Sequence, residues 1–245
     1  MQGPRPLRAG GGRCAGCVPD WGGAGAEYDR GHGAGSYGSL KIPAMRVWSA
    51  LWIVLASCAA YGGWQRFEQR PASQPDGIVA PDEPLQTEPQ DTTPVRLGRW
   101  LLRPRADYDI TARILSSESY RFDPLADLIP EDLALGWGPM SDNRILADFD
   151  ISQSVRFYTW RPRGPLPIAR DSVISHSANT HVIPADAHIL GQLQALRVGD
   201  VVRLTGTLVD GTRDDGAWIH TSLTRLDSGP GACEVMLVQS VELRR

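Results

Sequence analysis

The stretch from residue 198 to 241 carries the clearest alternation of apolar and polar residues in the chain. A turn signal at Gly199-Asp200 precedes a segment in which valine and leucine alternate with arginine and threonine, a pattern typical of a half-buried strand. A polar, glycine-containing hairpin loop and a second alternating segment follow it. The sequence therefore predicts a three-stranded β meander, with strands at 201–209, 218–226 and 233–243.

Polar side chains cluster where the last two predicted strands meet. They supply a guanidinium group, carboxylates, a hydroxyl and a thiol within a few residues of one turn, and they are Ser222, Arg225, Asp227, Cys233 and Glu234. The set fits a binding or catalytic corner. It also fits a turn held by an ion pair of Arg225, with Cys233 as a small buried apolar residue.

Residues 1–44 are rich in glycine and have almost no apolar periodicity, so we expect them to be disordered. The chain has a single lysine, Lys41, and this arginine bias suggests a GC-rich genome in which upstream reading frames stay open. We therefore expect the true start to be Met45. The Cys14-Ala15-Gly16-Cys17 motif in this segment is too isolated to indicate a redox or metal site.

Residues 45–65 have the pattern of a membrane segment. Arg46 precedes an uncharged apolar run of about 18 residues, 47–64, which predicts a single-pass anchor or an export signal. Leu55-Ala56-Ser57-Cys58 also has the pattern of a bacterial lipobox, which would make Cys58 a lipidated residue. Each interpretation predicts that the rest of the chain lies outside the cytoplasm, in the periplasm at a bacterial inner membrane.

Residues 66–95 contain regularly spaced prolines and, from 71 to 95, only acidic charges, so we predict an extended linker. Residues 96–245 are long enough for one hydrophobic core and form the predicted extracytoplasmic domain. Positive and negative residues are interspersed in this domain, and the absence of a basic stripe in the sequence argues against nucleic-acid binding.

The predicted fold class is α+β, mostly antiparallel β. A helix is predicted at 185–196, between a central loop and the meander, and a shorter one at 142–148 with Ser141 or Asp142 as N-cap. This order fits a small curled sheet or an OB-like (oligonucleotide/oligosaccharide-binding) barrel with one or two short helices. Further strands are predicted at 107–116, 133–137 and 154–160, after a short amphipathic lead-in at 96–105.

A second polar cluster, at 175–181, contains His176, Asn179 and His181. The histidine spacing suits neither one helix face nor one strand face, and a metal site would need further ligands, so we predict no metal. One interpretation is a loop held by hydrogen bonds. The other is a thiol hydrolase in which Cys233 is the nucleophile, His181 or His176 the base, and Asn179 or Asp227 the orienting group. A weaker variant has Ser222 or Ser175 as the nucleophile.

The competing hypothesis is a membrane-tethered interaction module that binds an envelope protein or a glycan through Asn179, Ser222, Arg225, Asp227 and Glu234. An anchor, a spacer and one compact domain without a cofactor motif favour it. Enzyme and binding module both stay open on the sequence. No cofactor is predicted.

Four motifs occur in order along the domain: SQSVRFYTW, SHSANTHVIPA, GDVVRLTGTLVD and TSLTRLDSGPGACE. Together they resemble a group of uncharacterised membrane-anchored bacterial envelope proteins with no assigned activity. The resemblance covers about residues 96–245, and it implies an envelope location and provides no catalytic residues to carry over.

Overall fold

The computed structural model describes residues 52–58, 71–227 and 229–244. Residues 52–58 are helical and exposed. Within the described residues, no helix is long and apolar enough to cross a membrane. Most of the predicted membrane segment at 45–65, and all of residues 1–44, lie outside the described residues.

The described domain is α+β and mostly antiparallel, as the sequence predicts. Its strands, in chain order, are β1 (Leu85–Thr87), β2 (Val95–Leu97), β3 (Trp100–Ser119), β4 (Glu131–Gly136), β5 (Phe149–Ser154), β6 (Phe157–Pro162), β7 (Ser177–Pro184), β8 (Val201–Arg213), β9 (Trp218–Ile219) and β10 (Glu234–Arg244). Its helices are α1 (Asn143–Leu146), α2 (Arg170–Ser175) and α3 (Ala187–Gln194), and a 3₁₀ turn spans Gly138–Ser141. All strands except β5 and β6 belong to one sheet, and those two form a separate hairpin.

Five long strands pair in a closed cycle. β3 pairs with β4, β4 with β7, β7 with β10, β10 with β8, and β8 pairs again with β3. Only the β7–β10 pair is parallel. The cycle closes because β3 is long enough to serve two neighbours: Trp100–Arg113 faces β8, and Arg113–Ser119 faces β4. Register shifts near Pro104 and Ile114 mark bulges that let this strand bend.

Alternate residues of these five strands form the main core. They point to the inside of the cycle and include Tyr108, Ile110, Leu133, Leu135, Val182, Leu204, Met236 and Val238. Ile189 and Leu193 of α3 belong to the same cluster, so the helix packs against this core. The inside of the cycle therefore supplies the apolar burial that the period-2 pattern predicts.

The outer face of β4, β7 and β10 is also covered. A second cluster contains Val235 and Leu237 with Ile129 of the β3–β4 loop. A third packs Phe149 of the β5–β6 hairpin and Val173 of α2 against the same side of the sheet. Polar residues on this outer face are consequently withdrawn from solvent.

The segment from Pro71 to Pro94 packs on the domain, in contrast to the predicted linker. Its backbone N–H groups find partners in the domain: Ala72 N donates to the carbonyl of Val198 over 2.7 Å, and Ala80 N donates to Ser141 Oγ over 3.1 Å. Ala80 is fully buried, and β1 pairs with β3. The domain thus begins earlier than the predicted boundary at 96. The prolines keep this segment extended, and extended chain can lie along a sheet as well as span a gap.

The two predicted helices are confirmed with shorter bounds. Asp142 caps α1 by accepting a hydrogen bond from Arg144 N over 2.9 Å, and Asp186 caps α3 by accepting from Ile189 N over 2.8 Å. Carboxylates at N-cap positions satisfy backbone donors that the first helical turn leaves unpaired. A further helix, α2, precedes β7, and it ends at Ser175 of the predicted polar cluster.

The strand predicted at 154–160 is instead the tip of the β5–β6 hairpin. Its two-residue turn is Val155-Arg156, with φ of 51° and 67°. Such hairpin turns need positive φ at both central residues, which is why Asn-Gly signals them in sequences. A valine at positive φ is rare, so Val155-Arg156 carries no turn signal that sequence analysis could detect. The residues predicted as the amphipathic lead-in, 96–105, belong to β2 and β3.

The predicted meander is also wrong in its middle strand. Only Trp218 and Ile219 form a strand, and β10 pairs with β8 directly. The following segment bonds to side chains instead: Thr221 N donates to Asp210 Oδ1 over 3.0 Å, and Thr224 N donates to Ser222 Oγ over 3.1 Å. Side-chain acceptors thus compete with the strand ladder for these backbone donors.

Candidate functional site

A carboxylate, an imidazole and a thiol meet on the outer face of the sheet. Asp132 of β4 and His181 of β7 are direct partners in the antiparallel ladder. β7 runs parallel to β10, with His181 opposite Val235, so Cys233 lies just before the start of β10 beside β7. These residues point to the same side because strand side chains alternate between faces.

His181 lies between the other two groups. Its Nδ1 is 2.8 Å from Asp132 Oδ1, and the pairing of His181 with Val235 places Cys233 beside the other side of the ring. Burial alone lowers the pKa of His181, but hydrogen bonds and charge interactions with Asp132 and Cys233 outweigh burial and raise this pKa to about 9. The imidazole therefore carries a proton at neutral pH, next to the sulfur.

The Asn179 side chain fixes the other side of the thiol. Its Nδ2 lies 3.5 Å from Cys233 Sγ and 3.1 Å from the carbonyl oxygen of Arg156, and it can donate to both. Its Oδ1 accepts from Gln153 Nε2 over 2.7 Å. The amide is thus oriented by β5 and by the hairpin turn, and its N–H group faces the sulfur.

Arg156 ties the hairpin tip to Asp132. Its Nη1 donates to Asp132 Oδ1 over 3.1 Å, and its Nε and Nη2 donate to Asp123 Oδ2 over 2.9 and 2.6 Å. The guanidinium lies 3.9 Å from the centre of the Tyr120 ring. Asp132 is fully buried, and a buried carboxyl group needs hydrogen-bonding partners of this kind. The strained backbone at Arg156 is maintained by the contacts that hold its side chain here.

Burial differs across the cluster. Asp132, Asn179 and His181 are buried, whereas Cys233 is half-buried. The thiol is therefore the member of the cluster that solvent or a reactant reaches first.

His176 lies apart from this cluster. Its Nδ1 is 2.8 Å from the Ser172 carbonyl oxygen and 3.0 Å from Ser175 Oγ, at the end of α2. Ser175 thus contacts His176, but neither residue has a hydrogen bond to Cys233 among the described residues. No group of three or more metal-binding side chains occurs in the described part of the chain.

Of the other predicted binding residues, Arg225, Asp227 and Glu234 line a separate cleft on the inner side of β10, and Ser222 bonds to one of them. Arg225 Nη1 donates to Glu234 Oε1 over 3.2 Å, and Ser222 Oγ donates to Asp227 Oδ2 over 2.6 Å. Trp137 lines this cleft together with Arg225, Asp227 and Glu234. Burial raises the pKa of Glu234 to about 7, although the nearby charge of Arg225 opposes this shift. We call this feature the Arg225 cleft.

No protein family model matches the sequence, and no curated protein or solved structure matches the chain.

The structure thus brings Asn179, His181 and Cys233 together, as the thiol-hydrolase hypothesis requires, and leaves His176 and Asp227 elsewhere. Asp132 takes the position beside the imidazole that Asn179 or Asp227 was predicted to fill. Sequence reasoning missed it, together with Arg156 and Gln153, because these residues come from β4 and from the β5–β6 hairpin, and no spacing along the chain links them to His181. The available signal was Glu131-Asp132 directly before a wholly apolar run, since acidic residues that enter a buried strand need partners.

Cys58 is exposed, at the end of the described helical residues. Its lipidation stays a prediction.

Proposed function

We propose that the domain is a thiol-dependent hydrolase or acyltransferase of the bacterial envelope. Cys233 is the nucleophile, His181 the general acid and base, and Asp132 the group that orients and stabilises the imidazolium. The observation that carries the proposal is the position of His181, bonded to a buried carboxylate on one side and next to a thiol on the other. Nucleophile, base and orienting group are the components that covalent catalysis requires.

The reaction follows from these positions. The Cys233 thiolate attacks the carbonyl carbon of an ester or amide, and a carbon–sulfur bond forms. His181 gives its proton to the leaving oxygen or nitrogen as the original bond to the carbonyl carbon breaks. A water molecule or another acceptor then attacks the thioester, His181 takes its proton, and the thiolate is released. No redox step or cofactor is involved.

The order of strand pairings supports the position of the site. Counting β3, β4, β7, β8 and β10 as strands one to five, the cycle runs 1-2-3-5-4-1, with α3 between strands three and four. We infer an OB-like barrel from this order. In such barrels the face of strands two and three and the adjoining loops bind ligands. Here that face carries Asp132, Asn179 and His181. Fold analogy supports a ligand-binding face and does not identify the ligand.

The thiol's reactivity tests this proposal. The full chain is treated with iodoacetamide at pH 6.5, folded and unfolded, and the peptide from Leu226 to Arg244 is followed by mass spectrometry, which separates Cys233 from the other three cysteines. We expect folded Cys233 to react about ten-fold faster than unfolded Cys233, because a nucleophile beside a general base is activated. Phenyl acetate should leave an acetyl group on the same peptide.

Two variants separate catalysis from simple exposure. His181→Asn should abolish both the fast alkylation and the acetylation, whereas His176→Asn should leave both unchanged, since His176 lies outside the cluster. A folded protein whose Cys233 reacts only after denaturation would overturn the proposal and make Cys233 a core residue. Equal rates in the wild type and in His181→Asn would also overturn it.

A second candidate function is the interaction module that binds an envelope protein or glycan. The Arg225 cleft favours it, because polar side chains converge there on the side of β10 opposite to Cys233. We propose the same location for both functions: the periplasmic face of the inner membrane, attached through residues 47–64 or through a lipid on Cys58.

A further inference from the structure

The Arg225 cleft contains one buried donor and one buried acceptor without partners. Trp137 Nε1 and Glu234 Oε2 make no hydrogen bond with any described residue, and both residues line the cleft. Trp137 is 1% exposed and Glu234 is 2% exposed. Most buried polar atoms in proteins are paired, so two unpaired atoms of complementary type in one cleft point to a ligand that pairs both.

Arg225 adds an oriented cation to this pair. Its side chain is 22% exposed, and its Cζ lies 5.1 Å from the Tyr108 ring centre and 5.9 Å from the Trp137 ring centre. A guanidinium has five N–H groups, and among the described residues only Nη1 of Arg225 is hydrogen-bonded. Further donors of a fixed guanidinium are therefore available at the cleft.

We infer that the Arg225 cleft binds an uncharged amide group, presented by a peptide or by an N-acetylated sugar. The amide oxygen accepts from Trp137 Nε1 and Arg225, and the amide N–H donates to Glu234. One group thereby satisfies both unpaired atoms.

Charge excludes the obvious alternatives. A carboxylate would bring a third negative group beside Asp227 and Glu234 and would leave the acceptor of Glu234 unpaired. An ammonium group would face Arg225 and leave Trp137 without an acceptor. An amide adds no charge to a cleft with buried walls, where an uncompensated charge is costly.

The size of the cleft sets how much of the ligand it holds. The space that a water-sized molecule can enter in the cleft is small, far below that of pockets that enclose a complete small molecule. The cleft therefore holds one group of a larger molecule, and the remainder lies outside it. This inference rests on the binding function proposed above and is independent of the chemistry at Cys233.

The indole N–H signal of Trp137 gives a direct test. The full chain is labelled with ¹⁵N, and the signal, assigned through its loss in Trp137→Phe, is followed during titration. The sugar probe is N-acetylglucosamine, and glucose is its control. The peptide probe is N-acetyl-alanine amide, and its control is the analogue in which both amide groups are replaced by esters. We expect an amide probe to shift the Trp137 signal and both controls to leave it in place. The probe that shifts it identifies sugar or peptide as the source.

Two variants complete the test. Glu234→Gln should weaken binding about ten-fold, because one hydrogen bond to a charged group is lost. Trp137→Phe should weaken it similarly, as followed at the backbone amide of Ala178. Glu131→Gln is the matched control, since it is a buried glutamate outside the cleft, and Trp218→Phe is the control for the indole. Both controls should bind as the wild type does.

The outcomes distinguish the two proposals. If controls and amides shift the signal equally, the cleft binds ligands but does not select amides, and the inference fails alone. If no probe shifts it up to high millimolar concentration, the inference and the binding function of the cleft both fail.

Discussion

At the scale of single residues, the buried ionisable groups give the domain a directed pH dependence. The pKa of His181 is raised from 6.5 to about 9, so the stability that its proton contributes is complete below pH 6.5 and is lost as the pH rises through 9. Burial raises the pKa of Glu131 from 4.5 to about 7, although its hydrogen bond with Ser117 opposes the shift. Its contribution is complete below pH 4.5 and is lost as the pH rises through 7. For both groups, therefore, the free energy of unfolding falls as the pH rises.

The prediction at this scale concerns Glu131→Gln. The amide has nearly the same shape and no charge to bury, so the variant should be more stable than the wild type at pH 8 by on the order of 1–3 kcal/mol. The difference should disappear near pH 4. Urea unfolding across this range measures it, and Glu88→Gln, at an exposed glutamate, is the control that should show no such difference. A difference that is constant with pH would contradict ionisation as the cause.

At the scale of elements, Gly206 of β8 lies at a point where the backbone of β10 comes too close to leave room for a side chain. This residue pairs with Tyr108 of β3 on one side and with Val238 of β10 on the other. A Cβ added to it would lie 2.0 Å from the carbonyl oxygen of Leu237. A backbone atom cannot move aside as a side chain can, so the two strands would have to separate.

We therefore predict that Gly206→Ala destabilises the domain by about 3 kcal/mol or more, in the range of severe packing and backbone defects. Gly191→Ala is the matched control, because a Cβ on this glycine of α3 meets no atom within 4 Å. It should stabilise the domain by about 0.5–1 kcal/mol through helix propensity. Urea unfolding of both variants measures the contrast, and a Gly206→Ala protein as stable as the wild type would contradict the pairing of β8 with β10.

The elements also show where sequence reasoning succeeds. Alternating patterns identified the cores of β3, β8 and β10, and a short apolar run identified β4. An N-cap residue identified the shorter predicted helix, and apolar residues on one face identified the longer one, because these signals are local. The β5–β6 turn was missed because Val155 adopts a conformation that tertiary contacts impose. The length of β9 was overestimated because the side chains of Ser222 and Asp210 accept hydrogen bonds from backbone N–H groups. The alternating pattern had predicted that these N–H groups would bond to a neighbouring strand.

Only some residues of the candidate site could be predicted from the sequence. Cys233, His181 and Asn179 stood out by residue type, and their proximity depends on the parallel pairing of β7 with β10, which no local pattern encodes. Asp132 and Arg156 join them from β4 and from a hairpin tip. Residues that meet through strand pairing across the sheet are not signalled by spacing along the chain.

At the scale of the whole molecule, the segment from Pro71 to Pro94 is part of the domain. It covers Ser141 and buries Ala80, and β1 adds to the edge of the cycle beside β3. We predict that a chain beginning at residue 71 unfolds cooperatively and is more stable than one beginning at residue 96. Removal of the segment exposes the apolar surface under Ala80. It also leaves unpaired those polar groups of the domain that bond to the segment.

Thermal unfolding of the two truncated chains, followed by circular dichroism, measures this difference. The shorter chain should unfold at a temperature at least about 5 °C lower, which corresponds to roughly 1–2 kcal/mol in a domain of this size. Equal unfolding temperatures would show that residues 71–95 act only as a spacer.

Cys233 and Glu234 are consecutive residues whose side chains serve opposite sides of one strand. Which side of β10 each of them faces depends on the register in which β10 pairs with β7 and β8. One residue inserted or deleted between Glu234 and the register shift near Val238 would move every downstream side chain to the other side, sending apolar core residues outward. Length variation among homologous chains should therefore be absent from this short interval and concentrated in the turn at 229–232, where an added residue changes neither phase nor chemistry.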